Sequence, residues 1–456
     1  MLKKVAVIGM GYVGIPIAAL LADTDSFQVT GIQRKSKRSG WKIDYLNQGK
    51  CPIKNEPDLP ELISRVVIDK KTFTVSDDIS ILTDMDYILI DVQTPTDENH
   101  IPQYTSLREV SQQVGENLSR GTVVIIESTC APGTTEYIVK PIIEEASGLK
   151  CNNDFFLAFA YERVMVGRLI YNILNYPRIV GGIGKESAEK ASWLYKQVLK
   201  NSIVQTTAMT AELAKVVENT YRDVNIAFAN EVALVAESLG ADVHEIRKLV
   251  NNLPFIEGKG NPHRNMHVPG VGVGGHCLVK DPWLLKYGLT QHGKKSVDLK
   301  VIEASRFRNM NMPKHTISLL HECLQETDRI EFEKLKIALL GVAFIEDSDD
   351  PRNTPTEVVF NLLKSEKFKL MAHDSLVRQE EVEFPISDDL NAVISDSDAI
   401  LVITAHQEYK NLDLEHVKSL MKNDPIIIDG RVTFNPEEVI ELGFIFRSVG
   451  RGQYQK

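Results

Sequence analysis

Short apolar runs alternate with helical patterns in the N-terminal part of the chain. The first run, residues 5–9, is followed by glycines and then by an apolar stretch over residues 15–22. A short apolar run bounded by turn residues predicts a buried strand, and a longer apolar stretch predicts a helix. The same pattern predicts further strands at residues 27–32, 87–92, 122–127 and 155–159. This alternation is typical of an α/β domain with a parallel sheet.

Alanine, leucine and valine then recur at three- and four-residue spacing from residue 209 to residue 239, which predicts one long helix ended by Gly240. A second helix is predicted at residues 243–251. After about residue 310 the alternation resumes, with strands at 336–341, 369–373, 399–404 and 425–428 and a helix at 356–363. We therefore predict two Rossmann-like α/β domains joined by a central helical domain with one long helix, with bounds at 1–200, 201–310 and 311–456.

The turn after the first strand has the sequence Gly9-Met-Gly11-Tyr-Val-Gly14. This is a G-x-G-x-x-G pattern between a strand and a helix, where glycines allow a tight turn, a close approach of pyrophosphate and close helix packing. The second strand should end in an acid that binds the adenosine ribose, but Gln33 and Arg34 stand there. The pattern predicts a dinucleotide site whose preference for NAD over NADP is open.

Polar residues follow three predicted strands of this domain: Thr94, Thr129 and the pair Glu162-Arg163. Ligands of open α/β sheets bind at the carboxyl ends of strands, which favours a role in cofactor or substrate binding. Alternatively, the two threonines cap the helices that follow.

Cys277 follows a glycine-rich run in the segment PGVGVGGHCLVKDP, residues 269–282, with Lys280 and Asp281 three and four residues later. Glycines let the backbone approach a ligand closely, and a nearby ammonium group favours the reactive thiolate. The alternative is a turn followed by a buried structural cysteine.

Composition narrows the choice of function. The net charge of −10 over 456 residues argues against general nucleic-acid binding. The five cysteines are odd in number and lack the paired spacing of metal ligands, so we predict no metal site and a reducing cytoplasm. Residues 1–22 look superficially like a signal peptide, but their glycine spacing favours the dinucleotide turn, and no later stretch is apolar enough to span a membrane.

Taken together, these motifs resemble the nucleotide-sugar 6-dehydrogenases, the family of UDP-glucose and UDP-N-acetylhexosamine dehydrogenases. The resemblance covers nearly the whole chain. Besides the glycine turn, it is carried by Thr94-Pro95, Glu127-Ser-Thr129, Glu162-Arg163, Ala211-Glu-Leu-Ala-Lys215 with Asn219, Gly274-Gly-His-Cys277 with Lys280-Asp281, Gly341-Val-Ala-Phe344, Asp349-Asp-Pro-Arg352 and Asp429-Gly-Arg431.

The resemblance implies that a sugar C6 alcohol is oxidised twice, through an aldehyde, to a carboxylate, with two NAD molecules reduced. Cys277 would form a thiohemiacetal and then a thioester, which water hydrolyses. Lys215, Asn219 and Asp281 would position water and stabilise the oxyanion. Glu162 would be the base for hydrolysis, and Thr129 would help to hold the water.

The resemblance also implies the binding residues. Cofactor contacts are expected from Gly9, Gly11, Tyr12, Val13, Gly14, Gln33, Arg34, Thr94, Thr129, Lys280 and Arg352. Substrate contacts are expected from Glu162, Arg163, Val164, Lys215, Asn219, Arg264, Gly274 and Arg431. Arg431, and with it Arg352 and Arg264, would meet or lie near the substrate phosphates.

Three departures from the family pattern affect binding. Gln33 replaces the usual acid, so Arg34 could pair with a 2′-phosphate and allow some use of NADP. Tyr161 and Val166 stand where proline is usual, and Ile345 stands where a lysine is common. The segments Gly275-His-Cys277 and Glu162-Arg-Val-Met resemble the N-acetylhexosamine branch.

We therefore expect UDP-N-acetylmannosamine as substrate, then UDP-N-acetylglucosamine, then UDP-glucose. A homodimer across the long helix, or a higher homo-oligomer, is expected, with no nucleic-acid or membrane partner. The remaining alternatives are a one-step hydroxyacid dehydrogenase and a non-catalytic nucleotide-sugar sensor.

Overall fold

The computed structural model describes residues 2–37, 39–54, 56–165, 167–254 and 265–452. The chain forms two compact units. The first comprises Met1–Glu218 and Trp283–Val297, and the second comprises Asn219–Pro282 and Asp298–Lys456.

The first unit is built on an eight-stranded sheet with the order β3-β2-β1-β4-β5-β6-β7-β8. Neighbouring strands are parallel except β6 and β7. The strands are β1 (Lys3–Ile8), β2 (Phe27–Ile32), β3 (Phe73–Ser76), β4 (Tyr87–Ile90), β5 (Val123–Ile126), β6 (Phe156–Phe159), β7 (Arg178–Gly182) and β8 (Ile203–Thr207). The first six follow the order of a dinucleotide-binding fold, in which the chain reverses between β1 and β4.

Helices cover both faces of the central part of this sheet, which explains why its strands β4, β5 and β6 are continuous apolar runs. Every residue of β4, β5 and β6 is buried, as expected for a parallel sheet that is covered on two sides. The helices are α1 (Gly14–Asp23), α2 (Trp41–Asn47), α3 (Leu59–Ser64), α4 (Thr105–Glu116), α5 (Lys140–Ser147), α6 (Leu169–Asn175) and α7 (Lys185–Lys196). Three helices follow along the chain: α8 (Ala208–Leu239), α9 (Val243–Asn251) and α10 (Asp281–His292).

The second unit contains a six-stranded sheet in which all neighbours are parallel, with the order β11-β10-β9-β12-β13-β14. The strands are β9 (Lys336–Leu340), β10 (Lys369–His373), β11 (Ile386–Ser387), β12 (Ala399–Val402), β13 (Ile426–Asp429) and β14 (Ile445–Ser448). Its helices are α11 (Lys300–Glu326), α12 (Pro355–Ser365), α13 (Leu390–Ile394), α14 (Gln407–Lys410), α15 (Leu414–Leu420) and α16 (Pro436–Glu441). The strand order repeats that of the first six strands of the other unit.

The predicted fold class is confirmed: two Rossmann-like sheets and a helical segment that contains the long helix α8. The sequence did not predict the second long helix, α11, or the strands β3, β7, β8, β11 and β14. No helix among the described residues is long and apolar enough to cross a membrane.

Candidate active site

The glycine turn between β1 and α1 fits a dinucleotide. Gly9 has φ +109°, and a Cβ there would lie 2.2 Å from the carbonyl oxygen of Asp91; one at Gly14 would lie 2.0 Å from the carbonyl oxygen of Gly9. At Gly11, in contrast, a Cβ would meet no heavy atom of the described residues within 4 Å. The outer glycines are therefore required by packing, whereas Gly11 leaves the open space in which a backbone can approach pyrophosphate.

Gln33 is attached directly to this turn. Its Oε1 accepts a hydrogen bond from Met10 N at 3.2 Å, and its Nε2 donates to Ser39 Oγ at 3.0 Å. Tyr12 is exposed, and Val13 immediately precedes α1. The Arg34 side chain is exposed and lies 3.7 Å from Glu109. The neutral amide of Gln33 thus occupies the position of the ribose-binding acid, and the Arg34 guanidinium is close to it in the chain.

The predicted polar residues at the ends of β4 and β5 lie together. Thr94 Oγ1 donates to the carbonyl oxygen of Thr129 at 2.6 Å. The alternative of helix capping is wrong for both, because α4 begins at Thr105 and the helical turn after β5 begins at Thr135.

Glu212 anchors the loop that follows Thr129 to α8. Its carboxyl group is fully buried and accepts hydrogen bonds from Gly133 N at 2.7 Å and from the N and Oγ1 of Thr135 at 2.8 and 2.7 Å. Burial raises the pKa of Glu212 to about 7. Glu212 belongs to the motif that includes Lys215, but no sequence pattern indicated its partners.

The loop after β6 holds Glu162 and Arg163. Lys215 Nζ donates to the main-chain oxygen of Glu162 at 2.9 Å, and Arg163 Nε donates to Glu218 at 2.9 Å. Val164 packs against the apolar core of this unit. Lys215 therefore holds the backbone of the residue that was predicted to be the base.

The side chain of Glu162 has a partner that the sequence analysis missed. Its carboxylate is buried and forms an ion pair with Arg178, the first residue of β7, which also pairs with Glu127. The sequence contained one signal of this pair: Arg178 is a charged residue at the start of an apolar strand. A guanidinium that is buried there requires carboxylate partners.

In the second unit, Cys277 opens the turn that leads into α10. Its carbonyl oxygen accepts hydrogen bonds from Lys280 N at 3.0 Å and Asp281 N at 2.9 Å. The carboxylate of Asp281 is buried and accepts a hydrogen bond from Asn219 Nδ2. Cys277 is half-buried, whereas Cys130, Cys151 and Cys323 are buried.

The glycines before Cys277 allow close contact with the C-terminal sheet domain. A Cβ at Gly274 or Gly275 would lie 2.6 or 2.8 Å from the Phe344 side chain. Gly275 N donates to the main-chain oxygen of Arg352 at 2.9 Å, and Asn353 Nδ2 donates to Gly275 O at 3.1 Å. The loop that contains Cys277 is therefore fixed by the segment 344–353.

Two predicted arginines lie in this unit. Arg431 follows β13, and its guanidinium lies so close to Gly270 that a Cβ there would be 2.6 Å from Nη1. The Arg352 guanidinium binds Asp350, with Nε 2.8 Å from Oδ1. Arg264 and Val166 lie outside the described residues.

Among the described residues there is no group of three or more His, Cys, Asp or Glu side chains that could hold a metal ion.

Three consecutive parts of the chain match the UDP-glucose/GDP-mannose dehydrogenase family. Residues 3–199 match its NAD binding domain, residues 209–311 its central domain and residues 338–436 its UDP binding domain.

Similar proteins match over the full length. The crystal structure of an NDP-N-acetyl-D-galactosaminuronic acid dehydrogenase from Methanosarcina mazei is 41% identical, with a TM-score of 0.90, over 100% of this chain and 97% of that one. UDP-N-acetyl-D-mannosamine dehydrogenase from Pyrococcus horikoshii is 36% identical over 98% of this chain and 99% of its own; its structure gives a TM-score of 0.88. UDP-N-acetyl-D-glucosamine 6-dehydrogenase from Pseudomonas aeruginosa is 30% identical over 93% of this chain and 96% of its own.

The glycine turn, the thiol-bearing loop and these full-length matches lead to one conclusion: the chain belongs to the UDP-glucose/GDP-mannose dehydrogenase family and is an NAD-dependent oxidoreductase.

Proposed function

We propose that the protein oxidises the C6 hydroxyl of a UDP-N-acetylhexosamine, in the first place UDP-N-acetylmannosamine, to the carboxylate. The observation that carries the proposal is the half-buried Cys277, held at the start of α10 in the same unit as the Asn219–Asp281 pair and Arg431. A thiol in this setting is suited to covalent chemistry on an aldehyde.

Cys277 adds to the C6 aldehyde and forms a thiohemiacetal, which becomes a thioester when its C6 carbon loses a hydride and its hydroxyl group loses a proton to solvent. Lys215 and Asn219 donate hydrogen bonds that stabilise the oxygen of the tetrahedral adducts, and Asp281 accepts a hydrogen bond from Asn219 and so orients its amide. Glu162 accepts a proton from the water that hydrolyses the thioester, and Thr129 holds that water. The C–S bond then breaks, which restores the Cys277 thiolate and releases the acid.

NAD, when bound, accepts the hydride in each of the two oxidations. The open space at Gly11 supports a pyrophosphate there, and Gln33, Arg34, Tyr12 and Val13 would surround the adenosine half. Thr94, Lys280 and Arg352 are assigned to the same cofactor.

We propose that the two sheet domains bind different ligands. We assign residues 1–200 to NAD, residues 311–456 to the UDP part of the substrate and residues 201–310 to the helical segment with the thiol. Arg431 and Arg264 would bind the diphosphate, and Arg163, Val164 and Gly274 would line the sugar side. The cytoplasm is the proposed location, since a catalytic thiol requires reducing conditions.

We also propose that two copies associate through the helical segment. Tyr221, Phe228 and Val235 recur every seven residues along α8 and are exposed, as are Phe307 and Met310 of α11. Large exposed apolar side chains that recur on one helix are typical of an interface. Sedimentation analysis should give twice the mass of the chain or a multiple of it.

A second substrate deserves direct comparison. The Methanosarcina mazei relative, at 41% identity, is named for an N-acetylgalactosamine product, which differs from the mannosamine and glucosamine series at C4. UDP-N-acetylgalactosamine is therefore the second candidate.

The test is to measure initial rates and NADH yield with the UDP derivatives of N-acetylmannosamine, N-acetylgalactosamine, N-acetylglucosamine and glucose. Two NADH per sugar consumed supports the proposal, whereas one NADH indicates a one-step dehydrogenase. Absence of turnover with all four substrates contradicts the proposed function.

A further inference from the structure

Four buried polar side chains and the half-buried Asp91 lie together in the first unit. Asp91 follows β4, Glu127 follows β5, Glu162 lies in the loop after β6, Arg178 begins β7 and Tyr195 belongs to α7. The guanidinium of Arg178 pairs with Oε1 of Glu127 and with Oε1 of Glu162. Only Glu162 in this cluster has a role in the chemistry proposed above.

Further contacts fix the guanidinium in place. Arg178 Nη2 donates to the main-chain oxygen of Ala160 at 3.0 Å, and its Cζ lies 4.1 Å from the centre of the Tyr195 ring. Tyr195 in turn donates its hydroxyl to Glu127 Oε1 at 2.7 Å. Arg178 is thus held by a strand end, a helix and a loop, and its orientation is defined by the fold.

The charges of the cluster do not cancel if all groups are ionised, since three carboxyl groups face one guanidinium. Burial and the neighbouring Glu127 carboxylate raise the pKa of Asp91 well above its usual range, so Asp91 keeps its proton. Burial likewise raises the pKa of Tyr195, which remains a neutral hydroxyl. The guanidinium is then shared by two carboxylates, those of Glu127 and Glu162.

This arrangement matters for Glu162 because a base must be ionised before it can accept a proton. A carboxylate buried without a cation tends to take up a proton, whereas an adjacent guanidinium keeps it charged. Lys215, on α8, binds the main-chain oxygen of Glu162 at 2.9 Å, so the side chain is left to Arg178. The backbone and the carboxylate of Glu162 are thus held by two different cations.

We propose that Arg178 is a positioning residue for thioester hydrolysis: through its pairs with Glu127 and Glu162, it holds the Glu162 carboxylate ionised and in one orientation. The inference rests on the proposed function, which makes Glu162 the base. In the supported step, a water O–H proton passes to Glu162, the water oxygen bonds to the thioester carbon, and the C–S bond breaks. No electrons are transferred, and the proton leaves Glu162 to solvent before the next turnover.

The test separates hydride transfer from hydrolysis in rapid-mixing experiments with Arg178→Lys and with the charge-balanced double variant Arg178→Gln/Glu127→Gln. Both should release close to two NADH per active site in the first turnover at near wild-type rate. Steady-state acid formation should then fall by about tenfold or more, with the roughly 10²- to 10⁴-fold contribution of a general base as the upper limit. In the double variant, which removes the cation, the acidic limb of the steady-state pH profile should move upward by roughly one pH unit or more, whereas Arg178→Lys keeps the charge and should lose mainly the orientation of Glu162.

Arg306→Lys is the matched control. Arg306 forms a similarly buried ion pair with Asp223 in the other unit, with a side chain 4% exposed against 3% for Arg178. This variant should lower thermal stability and leave the acidic limb of the pH profile unchanged.

Glu162→Gln distinguishes the possible failures. If Glu162→Gln hydrolyses the thioester at the wild-type rate, the assignment of the base in the proposed function is wrong. If Glu162→Gln accumulates thioester while folded Arg178 variants keep the wild-type rate and pH profile, only the role of Arg178 is overturned. If no Arg178 variant folds, or if the variants slow hydride transfer and hydrolysis equally, the cluster is structural and the proposal is also overturned.

Discussion

The glycine turn allows a prediction in which two similar substitutions affect different properties, the stability of the fold and the binding of NAD. Gly14→Ala should destabilise the fold, and Gly11→Ala should leave the fold intact while weakening NAD binding. A Cβ at Gly14 would lie 2.0 Å from the carbonyl oxygen of Gly9, whereas one at Gly11 would meet no atom of the described chain within 4 Å.

The magnitudes follow from these distances. An ordinary contact is about 3.4 Å, so the backbone around Gly14 must move by more than 1 Å, and we expect a loss of ~3 kcal/mol of unfolding free energy. Gly11→Ala removes no contact, and alanine lowers the entropy of the unfolded chain, so stability should be unchanged or rise by up to ~1 kcal/mol. Its methyl group would occupy the space that pyrophosphate needs, and a tenfold loss of affinity, ~1.4 kcal/mol, is the minimum we expect.

The assay combines thermal unfolding of both variants, without cofactor, with NAD titration and the KM values for NAD and for the sugar nucleotide. Gly11→Ala should raise the KM for NAD at least tenfold and leave the sugar-nucleotide KM near its wild-type value. Normal NAD binding by Gly11→Ala would refute the assignment of this turn to the pyrophosphate, and a Gly14→Ala variant as stable as the wild type would refute the packing argument.

Three further predictions concern single residues. Gln33 lacks the charge that repels a 2′-phosphate, so NADP should support a measurable rate; Gln33→Asp should lower kcat/KM for NADP about tenfold, and complete rejection of NADP by the wild type would contradict this. Arg431→Ala should raise the sugar-nucleotide KM at least tenfold with the KM for NAD unchanged; the reverse pattern would exchange the two sites. Glu212 is protonated more readily in the folded than in the unfolded state, so its contribution to stability is complete below pH 4.5 and is lost as the pH rises to about 7. Between these pH values, the free energy of unfolding in urea should therefore fall by ~3 kcal/mol more for the wild type than for Glu212→Gln. An identical fall in the two proteins would contradict the raised pKa.

The elements that the sequence predicted correctly are those with strong local signals. The strands β4, β5 and β6 are continuous apolar runs, β1 is apolar over its last four residues, and α8 has a clear helical period. Helix α11 was missed because Pro313 lies inside it, and a proline in a helix interior costs about 3 kcal/mol. Burial of Met312, Ile317 and Leu320 in the core of the second unit offsets that cost, and such tertiary packing is not visible in a local pattern.

In the site, too, contiguous motifs were visible in the sequence, whereas contacts between residues far apart in the chain were not. The glycine turn and the Cys277 loop are contiguous motifs, so both stand out in the sequence as candidates. The role of Arg178 depends on Glu127, which is 51 residues away in the chain, and on a pairing of β6 with β7 that is antiparallel in an otherwise parallel sheet. Sequence reasoning identified Glu162 but not the cation that holds its carboxylate, because strand order decides which residues meet at the ends of the sheet.

The central claim is that Cys277 carries the sugar as a covalent adduct. Cys277→Ala should fold with a thermal midpoint close to that of the wild type and still bind sugar nucleotide and NAD. It should form acid slower by several orders of magnitude, since a covalent nucleophile contributes far more to rate than a packing contact. Mass spectrometry of the wild type, quenched during turnover, should show the sugar nucleotide attached at Cys277. Acid formation near the wild-type rate by a well-folded Cys277→Ala variant would contradict the mechanism.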